Sequence, residues 1–389
     1  MLISDIQQAL RDQGLDGWLF FDHHRRDPLA YRVLDLKVAH DPTRRWYYLI
    51  PADGEPVKLV HRIEAGVLDA LPGEKLEYAG WAAQRVGLAR MLAGRGRVAM
   101  QYSPGCAVPY VSMVDGGTLE LVRETGVEVV SSADLIQFFE ARWDRDKLAS
   151  HLEAGRKVDA VLREAFGWMG ECLRGGTYLN EWNVACFIRK GFKNEGLFTD
   201  HGPIVAVNAN ASNPHYEPPD EGSARISPGD VVLIDLWAKM CTPDSVYYDI
   251  TWTGYCGQTV PEAVGNVFEV VRGARDAAVR CVRDAVAGGE PLRGFEVDDA
   301  ARGYIAERGF GDYFFHRTGH SIGQEVHGAG ANMDNLETHD ERRIIPWTCF
   351  SIEPGIYLPE FGIRSEVNVF VGDGEARVTG AMQESLVLI

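Results

Sequence analysis

The chain has 389 residues, 46% of them hydrophobic, and its 56 acidic residues outnumber its 39 Lys and Arg, giving a formal net charge of −17. This length exceeds what one hydrophobic core usually serves, so two domains are expected. The acidity argues against nucleic acid or an anionic membrane as a partner, because those surfaces bind clustered Lys and Arg.

The first 140 or so residues alternate helical and strand patterns, which predicts a smaller α/β domain. Strands are predicted over residues 16–21, 46–50 and 57–61. Two loops among these elements carry arginine pairs, Arg25 with Arg26 and Arg44 with Arg45. Loop charges of this kind are usually solvated, and a role in binding an anion stays open.

A charged stretch near residue 143 is followed by apolar residues at helical spacing, which predicts domains over residues 1–143 and 144–389. In the second domain, helices are predicted over residues 147–173, 180–191, 261–287 and 296–308. Strands are predicted there over residues 203–207, 231–236, 247–252, 348–352 and 363–371. Because helices and strands do not alternate strictly, the expected fold class is α+β rather than a doubly wound parallel sheet.

The compartment is indicated by the cysteines and by the lack of targeting patterns. Seven cysteines are scattered without a C-x-x-C pair, which fits a reducing environment. No apolar run approaches the roughly 20 residues that span a bilayer, and the N-terminus lacks the basic and apolar regions of a signal peptide. We expect a cytoplasmic protein with no membrane partner.

Four carboxylates lie in strands that otherwise look buried. They are Asp235, Asp249, Glu353 and Glu366. A buried carboxylate without a partner costs several kcal/mol or becomes neutral, so buried acids are normally paired or bound to metal. Any one of them could end a strand or form an ion pair, but four together in one domain indicate cations.

Histidines strengthen this indication. His316, His320 and His327 lie within twelve residues that also contain glycines, whereas His215 lies in a turn-rich stretch and carries no weight alone. Four carboxylates and one imidazole form a mostly hard donor set, which suits two divalent ions such as Mn²⁺ or Co²⁺, with Zn²⁺ or Fe²⁺ possible. The cysteine spacing argues against a thiolate zinc site.

These residues resemble the pita-bread metallopeptidases, which include prolidase, X-Pro aminopeptidase and methionine aminopeptidase. The resemblance follows the order of the chain and covers essentially all of it. It is carried by strings such as Thr318-Gly319-His320 and Ile352-Glu353-Pro354-Gly355. The family's metal ligands run Asp, Asp, His, Glu, Glu, and the matching positions are Asp235, Asp249, His320, Glu353 and Glu366.

The resemblance implies a role for each matched side chain. Two ions would share and activate a water, with Asp249 and Glu366 bridging them and Glu353 moving the proton to the leaving nitrogen of proline. His327 and His215 match histidines that stabilise the oxyanion or hold the substrate, and His316 matches a further pocket position. Arg364 lies two residues before Glu366, so on one strand it would orient that carboxylate or touch substrate.

Two departures from the family pattern concern the cavity. Asp235 and Asp249 are farther apart than is typical, so residues 239–245 form a small insertion near the cavity mouth. Trp252 stands where the family usually has an arginine, which puts any proton relay by that arginine in doubt. Neither departure removes a ligand.

The N-terminal region narrows the choice within the family. It resembles the smaller domain of prolidase, X-Pro aminopeptidase and creatinase, which methionine aminopeptidase mostly lacks, and creatinase works without the metal set. The expected activity is therefore Xaa-Pro dipeptidase on short proline-containing peptides. Xaa-Pro aminopeptidase on longer peptides and a catalytically inactive binding module stay as alternatives.

A dipeptidase must recognise a free carboxylate close to the proline, which favours an arginine or histidine there. The loops with Arg25, Arg26, Arg44 and Arg45 are the candidates for that contact, including across the interface of the homodimer that we expect.

Overall fold

A computed structural model describes residues 3–389, which form two units: one ends at Glu140 and the other is Ala141–Ile389. The division falls shortly before the boundary expected after residue 143. Among the described residues, none of the helices combines the length and apolar character that crossing a bilayer requires.

The N-terminal unit is built on a six-stranded mixed sheet of order β4-β3-β2-β1-β5-β6. Its strands are β1 (Gly17–Asp22), β2 (Trp46–Pro51), β3 (Val57–His61), β4 (Glu74–Tyr78), β5 (Arg97–Met100) and β6 (Glu128–Ser131). Its helices are α1 (Ile3–Asp12), α2 (Pro28–Val33), α3 (Trp81–Leu92), α4 (Gly116–Arg123) and α5 (Ala133–Ile136). The central strands β1 and β2 are buried along their whole length, as expected for a sheet covered on both faces.

The second unit contains four long helices and eleven strands. The helices are α6 (Arg145–Arg174), α7 (Glu181–Glu195), α8 (Glu262–Gly288) and α9 (Gly294–Ala306). The strands are β7 (Leu197–Phe198), β8 (Ile204–Val207), β9 (Val231–Met240), β10 (Tyr248–Tyr255), β11 (Ser321–Ile322), β12 (Thr348–Ile352), β13 (Gly355–Tyr357), β14 (Gly362–Arg364), β15 (Val367–Val371), β16 (Ala376–Thr379) and β17 (Val387–Leu388). The α+β class is confirmed.

Three sheets of this unit carry the predicted site. Strands β9 and β10 form a long antiparallel pair, and β8 pairs with the other edge of β9. A second sheet has the order β11-β12-β15-β16, and β13 with β14 forms a separate hairpin. One apolar core lies between β8–β10 and helices α6 and α7, and another lies beneath α8 and α9.

The single strand predicted over residues 363–371 is wrong, because the chain changes partner in its middle. Strand β14 pairs with β13, whereas β15 pairs with β12. Between them, the Glu366 amide donates to the Thr251 carbonyl of β10 at 3.0 Å. The break therefore places Glu366 against a different sheet from the one that β15 joins.

Candidate metal centre

The first two predicted ligands lie on one face of the β9–β10 pair. Asp235 is opposite Thr251, and Trp237 is opposite Asp249. Residues two apart on a strand share a face, and directly opposed residues of an antiparallel pair do too, so all four side chains point to the same side. The longer spacing between the aspartates lengthens this strand pair without turning either carboxylate away.

Asp249, His320 and Glu366 form the core of the candidate centre. Each is buried, and each offers a ligand atom within 4.8 Å of those of the other two. Within residues 3–389, Oδ1 of Asp249 and Oε1 of Glu366 are buried without a hydrogen-bond partner. Buried carboxylate oxygens are rarely left unpartnered, so these two atoms indicate a cation that completes them.

The imidazole of His320 is oriented for metal binding. Its Nδ1 lies 3.1 Å from the Ser321 carbonyl, to which it donates, so Nε2 keeps its lone pair. That Nε2 lies 3.5 Å from Asp249 Oδ2 and 3.4 Å from Glu353 Oε1. Burial lowers the pKa of His320, so the ring is neutral, as a ligand must be.

Asp235 and Glu353 are joined to this core through neighbouring side chains. Asp235 accepts a hydrogen bond from Arg364 Nη2 at 2.5 Å, while Glu353 lies 3.9 Å from Arg364 Nε. The hydroxyl of Ser351 donates to Glu353 at 3.1 Å and accepts from the His320 amide at 2.9 Å. All five predicted ligands therefore belong to one connected set of side chains.

Burial and mutual repulsion dominate the electrostatics of these acids. Burial raises the pKa of Asp249 and of Glu366 well above the usual carboxyl range, and the charge of Glu353 raises both further. Burial also raises the pKa of Asp235 to about 6, although Arg364 opposes that shift. A single guanidinium cannot neutralise four neighbouring carboxylates, so the donor set fits divalent cations.

Arg364 and His316 are engaged by protein atoms. The three guanidinium nitrogens of Arg364 donate to Asp235, to the Thr251 hydroxyl at 3.1 Å and to the Tyr357 hydroxyl at 3.0 Å. The ring of His316 uses Nδ1 on the Arg317 carbonyl at 2.7 Å and Nε2 on the Tyr357 hydroxyl at 2.6 Å. Loss of solvent lowers the pKa of His316 to about 3, so Tyr357 donates to a neutral ring.

These contacts show how Arg364 and His316 are engaged in the folded chain. Arg364 is 2% exposed and orients Asp235 directly, whereas it reaches Glu366 only through the Thr251 hydroxyl, which donates to Glu366 at 2.8 Å. His316 has no free ring nitrogen for substrate. Both residues thus bond to protein atoms next to the ligands, and their predicted contact with substrate stays a prediction.

His327 and His215 remain accessible, in contrast to His316. The ring of His327 packs edge-on against His320 with 4.4 Å between centroids. The nearby His320 lowers the pKa of His327, and His215 contributes in the same direction, so His327 is neutral at physiological pH. Both His215 and His327 are exposed.

The structure places both departures from the family pattern, the insertion at residues 239–245 and Trp252. Lys239 Nζ donates to the Gln324 carbonyl at 2.5 Å, and the Tyr247 amide donates to the Gly323 carbonyl at 2.9 Å, so the insertion packs on the loop that follows His320. Trp252 alternates with Thr251 and packs against the apolar core beside α6. The tryptophan is thus directed away from the metal face.

Four polar residues that sequence patterns did not identify support the ligands or the side chains bonded to them. They are Thr251, Ser351, Tyr357 and Asn368, whose side-chain oxygen accepts from the Asp249 amide at 3.1 Å. Thr251 had a detectable signal, because it is two residues from Asp249 on a buried strand. The contacts of the other three depend on which strands meet, which no local pattern reveals.

The two arginine loops of the N-terminal unit lie side by side. The His24 amide donates to the Pro42 carbonyl at 3.0 Å, and Arg25 pairs with Asp41 at 3.1 Å. The buried carboxylate of Asp22 accepts from the amides of Arg25 and Arg26, which fixes the first loop. Arg26, Arg44 and Arg45 are exposed at the residue level.

The chain is similar to known proteins in family, sequence and structure. The model of metallopeptidase family M24 matches residues 149–373. An Xaa-Pro dipeptidase of Lactobacillus delbrueckii subsp. lactis is 32% identical over 240 residues, which are 61% of this chain and 59% of that protein. The chain thus aligns with about three fifths of the length of that relative. A probable dipeptidase PepE of Mycobacterium tuberculosis (strain ATCC 25618 / H37Rv) is 28% identical over 87% of this chain and 84% of that one.

A solved structure extends the likeness to the whole chain. The crystal structure of dipeptidase PepE from Mycobacterium ulcerans superposes with a TM-score of 0.72 at 23% identity, covering 100% of this chain and 96% of that one. At 23% identity, this match supports the fold alone. The predicted pita-bread fold of the second unit is confirmed.

Proposed function

This chain belongs to metallopeptidase family M24, and we propose that it is a metal-dependent Xaa-Pro dipeptidase that hydrolyses the bond before proline in short peptides. The observation that carries the proposal is the convergence of Asp249, His320 and Glu366, whose ligand atoms lie within 4.8 Å of one another. The match to an Xaa-Pro dipeptidase supports the substrate class.

We propose that Asp235, Asp249, His320, Glu353 and Glu366 would hold two divalent ions. When bound, such ions lower the pKa of a water and polarise the scissile carbonyl. The four carboxylates make the donor set mostly oxygen, which favours Mn²⁺ over softer metals.

Glu353 is the group that moves the proton. Its side chain is 16% exposed, which makes it the most accessible of the four acids in the proposed ligand set. The Ser351 hydroxyl donates to one of its oxygens at 3.1 Å. A carboxylate held at one oxygen keeps the other free to take a proton from water and pass it to the proline nitrogen. The alignment of Glu353 depends on the His320 loop, because the Glu353 amide donates to the Thr318 carbonyl at 2.7 Å.

His327 and His215 act on the substrate. Both are exposed, and His327 is neutral at physiological pH, so its ring donates a hydrogen bond without bringing a charge that would repel the ions. Each donor aimed at the developing oxyanion typically contributes a few kcal/mol to transition-state stabilisation.

Peptide hydrolysis after loading with Mn²⁺ tests the proposal. Metal-stripped protein reloaded with Mn²⁺ is assayed with Ala-Pro, Ala-Pro-Ala and Ala-Ala. A dipeptidase cleaves Ala-Pro best and leaves Ala-Ala almost intact. Preference for Ala-Pro-Ala identifies an aminopeptidase instead, and a protein that binds no metal and cleaves none of the three peptides is a binding module.

We propose that the adjacent loops carrying Arg25, Arg26, Arg44 and Arg45 supply the contact to the free carboxylate of a dipeptide. Their support is chemical, because a guanidinium binds a carboxylate through two hydrogen bonds. Arginine-to-alanine variants should lose Ala-Pro hydrolysis and retain Ala-Pro-Ala hydrolysis. Unaltered dipeptide kinetics in all four variants would end this part of the proposal.

Assembly and location complete the proposal. We propose a homodimer, which sedimentation of the purified protein would show directly. We also propose a cytoplasmic location, supported by the seven cysteines, all of which are free thiols in the structure.

A further inference from the structure

Glu181, the first residue of α7, is a buried acid with no role in the proposed metal centre. Its side chain is 0% exposed and accepts four hydrogen bonds. Oε1 accepts from the Val207 amide at 2.8 Å and from the Asn210 side chain at 2.9 Å. Oε2 accepts from the Tyr216 hydroxyl at 2.6 Å and from the Ala224 amide at 2.9 Å.

All four donors belong to one stretch of chain, residues 207–224, which contains His215. The backbone joins the same regions, because the Glu181 amide donates to the Ala224 carbonyl at 3.1 Å and the Ile226 amide donates to the Leu179 carbonyl at 2.9 Å. One side chain thus fixes both ends and the middle of this stretch to the start of α7.

Only a carboxylate can accept all four of these hydrogen bonds. Each oxygen of Glu181 receives two donors, and a glutamine would have to turn its NH₂ group towards two of them. An alanine would leave several donors buried without acceptors, which is destabilising. The arrangement is specific for a side chain with two acceptor oxygens.

The opposite side of the stretch contacts the hairpin that carries Arg364. The Ser212 hydroxyl donates to the Leu358 carbonyl. A Cβ added to Gly362 would lie 2.0 Å from the Ala211 carbonyl oxygen, so the backbones of β14 and residue 211 are in close contact. The stretch is therefore held between α7 and an element of the metal centre, and His215 is carried on it.

We propose that Glu181, acting through the Tyr216 hydroxyl, is a positioning residue that holds His215 in place for the substrate. Tyr216 directly follows His215, and the Tyr216 amide and the His215 amide both donate to Asn213, so the two residues form one turn. The tether at 2.6 Å fixes this turn from the side of α7. The inference rests on the proposed function, because it needs His215 to contact the peptide.

A double-mutant cycle tests the inference. The variants Tyr216→Phe, His215→Ala and the double variant are compared with wild type for Ala-Pro hydrolysis by the Mn²⁺-loaded protein. Tyr216→Phe removes one donor and leaves Glu181 three others, so the fold should persist. We expect Tyr216→Phe to lower kcat/KM roughly ten-fold in the wild-type background and to change it little in the His215→Ala background. Tyr48→Phe is the matched control, since it removes a hydroxyl bonded to the Pro72 carbonyl at 3.1 Å in the N-terminal unit.

The outcomes separate positioning from general support of the fold. An equal loss in both backgrounds would mean that Tyr216 acts independently of His215, and the inference would be overturned. A Tyr216→Phe enzyme as active as wild type would overturn it too. Absence of hydrolysis by wild type counts against the proposed function itself, whereas full activity of His215→Ala removes only the role of His215 and the inference built on it.

Discussion

Asp249 and Glu366 place two carboxylates in a buried site where the protein supplies too few hydrogen-bond donors for their oxygens. Oδ1 of Asp249 and Oε1 of Glu366 lack partners within the described residues, and the charge of Asp249 raises the pKa of Glu366 further. Keeping both acids ionised at neutral pH destabilises the metal-free fold. A divalent cation instead turns the same charges into ligands.

Replacing one of these acids should therefore have opposite effects on function and on the metal-free fold. We expect Asp249→Asn to lower metal affinity and kcat/KM by more than about 100-fold, because a ligand matters more than the groups that orient it. The metal-free variant should melt no lower than metal-free wild type, since one buried charge is gone. Bound metal by elemental analysis, peptide hydrolysis and thermal melting measure the three effects.

The exposed Asp284 on α8 provides a control for Asp249→Asn. Asp284→Asn makes the same chemical change away from the centre and should leave all three measurements unchanged. Normal metal content in Asp249→Asn would contradict the assignment of Asp249 as a ligand.

At the scale of elements, the loop that delivers His320 is pressed onto strand β12. A Cβ added to Gly319 would lie 1.9 Å from the Ser351 carbonyl oxygen, which cannot move without disturbing the sheet. Gly319 also exchanges two hydrogen bonds with Met333. Absence of a side chain at residue 319 therefore sets the distance between His320 and the hydroxyl of Ser351.

We expect Gly319→Ala to lower the free energy of unfolding by roughly 1–3 kcal/mol, because the added methyl forces the loop away from β12. Displacement of His320 should also weaken metal binding. Chemical denaturation with and without Mn²⁺ measures both effects, and the stabilisation by Mn²⁺ should shrink in the variant.

Gly303 offers the matched control for Gly319. It lies inside α9, is exposed, and a Cβ there would meet nothing within 4 Å. Gly303→Ala should raise the free energy of unfolding by about 0.5–1 kcal/mol, because alanine favours the helix. If both variants behave alike, the close approach at Gly319 has no energetic consequence.

At the scale of the whole molecule, His151 links parts of the second unit that are distant in sequence. From α6, its Nδ1 donates to the Tyr247 carbonyl at 2.6 Å, and its Nε2 lies 2.7 Å from the Thr379 hydroxyl at the end of β16. Burial lowers the pKa of His151 to about 4. The neutral ring is thus part of the folded state.

This shift predicts a dependence of stability on pH. The unfolded chain protonates His151 near pH 6.5 and the folded chain only near pH 4, so the unfolded state binds more protons between these values. The contribution is fully present above about pH 6.5 and is lost as pH falls towards 4, on the order of 3 kcal/mol in total.

Other groups titrate in the same range, and the raised pKa values of Asp249 and Glu366 act in the opposite direction. The difference between wild type and His151→Gln isolates the contribution of His151. In denaturation of the metal-free proteins, the free energy of unfolding of wild type should rise relative to that of the variant as the pH increases from 4 to 7. His339→Gln, at an exposed position, should match the wild-type slope, and parallel profiles for all three proteins would refute the prediction.

The sequence by itself determined the family, the α+β class and the residues proposed as ligands. It did so because carboxylates in apolar strands are costly, and their order along the chain is characteristic. Asp249 and Glu366 illustrate this, since local patterns selected them and the family resemblance added His320, and the structure brings all three together.

Only the tertiary structure decided how those ligands are supported. Arg364 bonds to Asp235 across 129 positions and Thr251 bonds to Glu366 across 115. Glu181 accepts hydrogen bonds from residues 207–224, and His316 bonds to the Tyr357 hydroxyl. Periodicity reports which face of one element is buried but not which distant element covers it, so these contacts appear only when the sheets and helices are packed together.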